Sequence, residues 1–87
     1  MNQPRLITAL KRAREEKGWT QREAASRVGK NGMDHGHFHR IETGEVRPHP
    51  RLAKEISLAF GNAVTRDQLL FPEDYMTEEE QLEAKAS

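Results

Sequence analysis

Apolar residues recur along the chain at the three- and four-residue spacings of helices, and turn-forming glycine or proline closes each run. Leu6, Ile7, Leu10 and Ala13 mark a first helix, with Pro4 in its first turn and Lys17-Gly18 at its end. Thr20-Gln21-Arg22-Glu23 is a capping box, and the helix it opens carries Ala24, Ala25 and Val28 as far as Gly29. Trp19, just ahead of the cap, reads as a hydrophobic staple against Ala24 or nearby core residues. Lys30-Asn31-Gly32 has the chemistry of a turn. Asp34 caps a third helix with Phe38 and Ile41 on its inner side and Gly44 closing it. Arg47-Pro48-His49-Pro50 is a stiff connector in which His49 reads as a helix-opening residue. Pro50 starts a fourth helix, with Leu52, Ile56, Ala59 and Phe60 inward and Gly61 at its end. Thr65 caps a short fifth helix through Leu69 and Leu70, stopped near Phe71-Pro72. Thr77-Glu78-Glu79-Glu80 is one more capping box, followed by a polar stretch that predicts a frayed helix or a mobile tail. With no strand-length alternation, the expected class is all-α.

A length of 87 residues allows one domain, and 34 % hydrophobic residues close one small core without a deep substrate chamber. We expect a compact five-helix domain over residues 1–71 and an acidic extension over 72–87. No window approaches the roughly 18 apolar residues of a membrane span, and no apolar signal core follows the first residues. The absence of cysteine removes disulfides, thiol nucleophiles and cysteine zinc sites. Together these predict a cytoplasmic protein with no membrane partner and no cofactor.

Charge is more informative than overall composition. Residues 1–54 hold 12 Lys and Arg against 6 Asp and Glu, a net of +6, whereas residues 55–87 hold 2 against 8, a net of −6. The halves cancel in the total but not along the chain, which suggests a polyanion-binding front and an acidic rear.

Residues 20–44 carry the chemistry. A short helix, a glycine-bearing turn and a second helix with polar residues at its start form a helix-turn-helix pattern. Ala25 sits where the helices cross and its small side chain permits close approach. With Phe38 and Ile41 facing the core, the second helix presents Asp34, His35, Gly36, His39, Arg40 and Thr43 on its other side. Arg40 can donate two parallel hydrogen bonds to guanine O6 and N7. His35, Gly36, His39, Arg40 and Thr43 are therefore the candidate base readers. Arg22, Lys30, Asn31, His37 and Arg47 flank them as candidate phosphate contacts. Lys11, Arg12, Lys17, Arg27, Arg51 and Lys54 fit solvated helix faces equally well. His35, His37 and His39 would share a face only on a strand; on a helix His35 and His39 alone do so, which predicts no metal site. No phosphate-cradling glycine loop, His-Glu-x-x-His or Ser/His/Asp grouping is present, and an enzyme is not expected.

Thr20-Gln21 with Ala25, Gly29, Ile41-Glu42-Thr43-Gly44 and Arg47-Pro48 resembles the lambda-repressor-like (Cro and phage repressor, XRE-type) DNA-binding family over roughly residues 5–71. A weaker similarity links residues 61–69 and Phe71-Pro72 to the YdaS-like Cro regulators of prophages. The resemblance implies a five-helix fold, usually a homodimer, that represses transcription at a palindromic operator. It implies that Gln21 contacts a DNA phosphate and that Glu42 pairs with Arg14, tying the recognition helix to the scaffold. It also implies that the backbone around Thr43 and Gly44 lies against the sugar-phosphate strand beside Arg47. Ala25 and Gly29 are structural in this pattern.

The spacing from Gly29 to Ile41 is about three residues longer than the family's usual one, which predicts a longer turn within Lys30–Met33. Gly36 in the first turn of the recognition helix costs about 0.5–1 kcal/mol relative to alanine. Either it brings the helix close to the bases, or the helix end frays and orders only on DNA.

Two function readings follow. One is a transcriptional regulator, a repressor of prophage or mobile-element type, bound to double-stranded operator DNA as a homodimer. The other is an antitoxin or protein-interaction module on the same fold, holding a protein partner through the acidic C-terminal part. Leu69, Leu70, Phe71, Tyr75 and Met76 either form the dimer surface or cap the core.

Overall fold

A computed structural model describes residues 5–78. The expectations placed on Pro4 and on residues 79–87 lie outside the described residues. Within them the chain forms β1 (Leu6–Ile7), α1 (Ala9–Lys17), α2 (Gln21–Ser26), α3 (His35–Thr43), α4 (Pro50–Ala59), α5 (Arg66–Leu70), a 3₁₀ turn (Pro72–Asp74) and β2 (Thr77–Glu78). The caps read at Thr20, Asp34 and Thr65 start helices as anticipated. Thr20 and Thr65 make reciprocal capping boxes with Glu23 and Gln68. Asp34 accepts from the His37 amide, and His49 accepts from the Leu52 amide ahead of Pro50.

Three boundaries differ from the sequence reading. The first helix begins at Ala9, because Thr8 is extended and its hydroxyl accepts from the Lys11 amide. Leu6 and Ile7 are one exposed and one buried, as on a strand, and pair antiparallel with Glu78 and Thr77. Their spacing to Leu10 and Ala13 imitated a helical turn. The described fold is mostly helical with this two-residue ladder added, and Thr77-Glu78 is a strand where a helix cap was expected. The second helix ends at Ser26 and not at Gly29. Arg27 and Val28 make tighter bonds back to Ala24 and Ala25, and the Ala25 carbonyl also receives the Met33 amide from across the turn.

The core is built around Phe38, Phe60, Leu10, Ile56 and Val64, each at most 1 % exposed. Phe38 and Phe60 stack at 6.4 Å with ring planes 10° apart. Trp19 is half-buried, and its ring meets Phe60 at a centroid distance of 5.2 Å, while the Arg27 guanidinium covers it at 4.4 Å. On helix α4 the expected Ile56 and Phe60 face inward, but Ala53 and Ser57 replace Leu52 and Ala59 beside them, and the latter two sit at the margin. Helix α5 packs on both α1 and α4, α2 packs on α3, and Leu69 closes the core below α5.

Beyond α5 the chain turns back over α1. The Arg12 guanidinium donates to the Thr77 hydroxyl from Nε (3.0 Å) and Nη2 (2.7 Å), and from Nη2 to the Glu78 carbonyl (2.8 Å). Arg12 is thus a clamp on β2, not a solvated face. Phe71 and Tyr75 remain 47 % and 39 % exposed.

Candidate nucleic-acid interface

Helices α2 and α3 and the turn at residues 27–34 form the motif. Ala24 and Ala25 of α2 are fully buried in the core, and α2 packs on α3. In the turn Val28 is buried, and Gly29 and Gly32 take left-handed backbone. Gly32 is the tighter of them. A Cβ there would lie 3.2 Å from both the Cα and the carbonyl oxygen of Ser26. Gly29 lies under the Glu55 carboxylate.

Asp34 fixes the start of α3 and Gly44 its end. Gly44 takes a φ of 86°, and the amides of Gly44 and Glu45 return to the carbonyls of Ile41 and Arg40. Phe38, Ile41 and Glu42 form the buried underside. His35, His39, Arg40 and Thr43 are exposed along the other side, with Gly36 half-buried between them. A Cβ on Gly36 would meet the Asp34 carboxylate at 3.0 Å, so its absence leaves room for the cap itself. His37 is half-buried and lies off the face that His35 and His39 share. Among the described residues no group of three or more His, Asp or Glu side chains could hold a metal ion. The Thr43 hydroxyl donates to the Arg40 carbonyl at 3.0 Å, while the Arg40 side chain extends into solvent.

The underside of α3 is anchored through one charged residue. Glu42 is 2 % exposed, and its carboxylate receives Arg14 from α1 through both Nε and Nη2. Arg14 also donates to the Trp19 carbonyl at 2.7 Å. The Glu42 backbone carbonyl accepts from the Thr8 hydroxyl at the start of α1. A third donor, Gln21 Nε2 at the start of α2, reaches Glu42 Oε1 at 2.6 Å. The same nitrogen lies 2.7 Å from His39 Nδ1. Four residues from three helices therefore form one hydrogen-bonded chain, Arg14–Glu42–Gln21–His39. The Arg14–Glu42 pair is the one that the family resemblance implies, whereas Thr8 and the link from Gln21 to His39 leave no signal in the local sequence pattern.

The remaining candidates surround this face. Arg22 is exposed on α2, and Lys30 and Asn31 are exposed on the turn. Arg47 is exposed in the connector after α3, where it pairs with Glu73 at 2.8 Å, both side chains more than half exposed. At the start of α2 the Thr20 amide donates to Glu23 at 2.8 Å and holds its carboxyl below the ordinary glutamate value of 4.5. Among the described residues no helix is long and apolar enough to cross a membrane.

Comparison with known proteins agrees with this geometry at the level of the motif. Residues 5–61 match the family described as a helix-turn-helix domain. No curated protein and no solved structure matches the chain. The match spans more than half of the sequence and contains α1 to α4 with the whole α2–turn–α3 unit, so the chain belongs to the helix-turn-helix domain family.

Proposed function

We propose that this chain is a sequence-specific DNA-binding transcriptional regulator that inserts α3 into the major groove. The observation that carries this reading is the division of α3 into two sides. One is held rigidly to the scaffold through Glu42; the other offers His35, His39, Arg40 and Thr43 to solvent. A nine-residue helix reads only a few base pairs, so a second subunit is needed to reach useful specificity. The reading is accordingly a lambda-repressor-like homodimer on a palindromic operator, with half-sites about one helical turn, about 34 Å, apart. Exposed Phe71 and Tyr75 are its candidate dimer contacts. Repression, with a prophage or mobile-element origin of the YdaS-like type, is the form that the sequence resemblance favours. The absence of paired catalytic groups in the sequence favours a binding protein over an enzyme.

Anisotropy on labelled DNA from upstream of the protein's own gene, against scrambled DNA at two salt concentrations, tests the proposal. A preference of about a thousandfold or more, with a steep salt slope, is the expected result. Equal weak binding to both would reject operator recognition at that site and favour the protein-partner reading through the acidic C-terminal part.

A further inference from the structure

We infer that Gln21 locks His39 in the neutral tautomer protonated at Nε2, so that α3 presents this histidine as a hydrogen-bond donor. Arg14 pairs with the buried Glu42 carboxylate, which is therefore an acceptor at both oxygens. The Gln21 side-chain atom 2.6 Å from Glu42 Oε1 must then be the amide nitrogen, because an amide oxygen there would face a carboxylate oxygen with no proton between them. That nitrogen carries two hydrogens. One goes to Glu42, and the other points to His39 Nδ1 at 2.7 Å. Nδ1 can accept it only with a free lone pair, and a neutral imidazole with a bare Nδ1 bears its proton on Nε2. Turning the Gln21 amide over would repair the opposite tautomer only by breaking the bond to Glu42.

Two consequences follow. Both side-chain hydrogens of Gln21 are committed inside the protein, which makes it a positioning residue for His39 and leaves neither hydrogen for a DNA phosphate. His39, exposed on α3, offers Nε2–H outward. If α3 lies in the major groove as proposed above, that donor suits guanine O6 or N7, adenine N7 and thymine O4. It meets no partner on the amino groups of cytosine and adenine. A histidine free to change tautomer would not make that distinction.

The test is a long-range ¹H–¹⁵N correlation spectrum of the full chain with ¹⁵N-labelled histidine and glutamine, above about pH 7.5, where ordinary imidazoles are neutral. We expect His39 to give one pyrrole-like signal at Nε2 and one pyridine-like signal at Nδ1, with a scalar coupling across the bond from Gln21 Nε2. In Gln21→Ala the two ring signals should move toward each other as the tautomers exchange. A proton on Nδ1, or ring signals unchanged by Gln21→Ala in a folded variant, would overturn the inference. If that variant does not fold, absence of the coupling in the unaltered protein overturns it. The spectrum needs no DNA, so a failure of operator binding would count against the proposed function and leave this result standing.

Discussion

At Glu42 a carboxylate is 2 % exposed in a chain of only 87 residues, and its burial is tolerable only because every side of it is met. Arg14 and Gln21 serve its oxygens and Thr8 serves its carbonyl; among the described residues no buried side-chain nitrogen or oxygen lacks a partner. Glu42→Ala strands Arg14 beside an apolar core, and removing one partner of a buried pair costs about 3–5 kcal/mol. We expect the urea midpoint to fall accordingly, and an unchanged midpoint would show that the pair adds nothing net. The exposed side of the same helix behaves differently. Arg40→Ala should leave the midpoint in place, lose about 1–3 kcal/mol of operator affinity and relax the preference at one base pair. Arg47→Ala should weaken all sequences alike and lower the salt slope by about one. Anisotropy on single-base operator variants separates the two.

At the scale of elements, local chemistry encodes most helix starts and ends; the start of α1 and the end of α2 are the exceptions. Thr20, Asp34 and Thr65 were legible as caps because a cap needs only one side chain and an amide three residues on. The end of α2 was not, because what stops it is the Met33 amide arriving at the Ala25 carbonyl from across the turn. Gly32 makes that crossing possible with a φ of 77° and no room for a Cβ beside Ser26. Gly32→Ala should cost about 1–3 kcal/mol through both strain and contact, seen as a lower melting temperature. The start of α2 has a pH signature. The Glu23 carboxyl is held below its ordinary 4.5 by the Thr20 amide, so its folded value is lower than its unfolded one. The contact therefore stabilises fully above about 4.5 and is lost as pH falls through the lowered value. Glu23→Gln keeps an acceptor for Thr20 but cannot titrate. Its melting temperature should fall less than that of the unaltered chain on acidification from about pH 7 to about pH 3.

Across the described residues of the molecule, basic residues of the front reach the acidic rear of the sequence. Arg47 pairs with Glu73, and Arg12 holds Thr77 and Glu78. The first is a solvated pair of little energetic weight. The second is joined by β pairing and by the buried Pro72, so residues 72–78 contribute to the structure of the domain. Ending the chain after Phe71 should therefore lower stability by about 1–2 kcal/mol, the worth of one or two lost hydrogen bonds with their packing. The backbone amides of β1 should exchange faster in the shortened protein. Equal stability and exchange would mean that the ladder is too weak to matter, as two-residue ladders often are.

Local sequence encodes the helical class, the order of the five helices, the caps at Thr20, Asp34 and Thr65 and the α2–turn–α3 unit, because each depends on residues within one or two turns of one another. It also determined which side of α3 is apolar and that Arg14 and Glu42 belong together, the latter through family resemblance. Tertiary structure alone decided that Leu6 and Ile7 are a strand, since their pairing partner lies about seventy residues away. It alone joined Gln21 to His39 and turned Arg12 from surface charge into a clamp. In each case the deciding hydrogen bond closes between segments distant in sequence, and no local pattern of apolar and polar residues encodes which donor will find which acceptor.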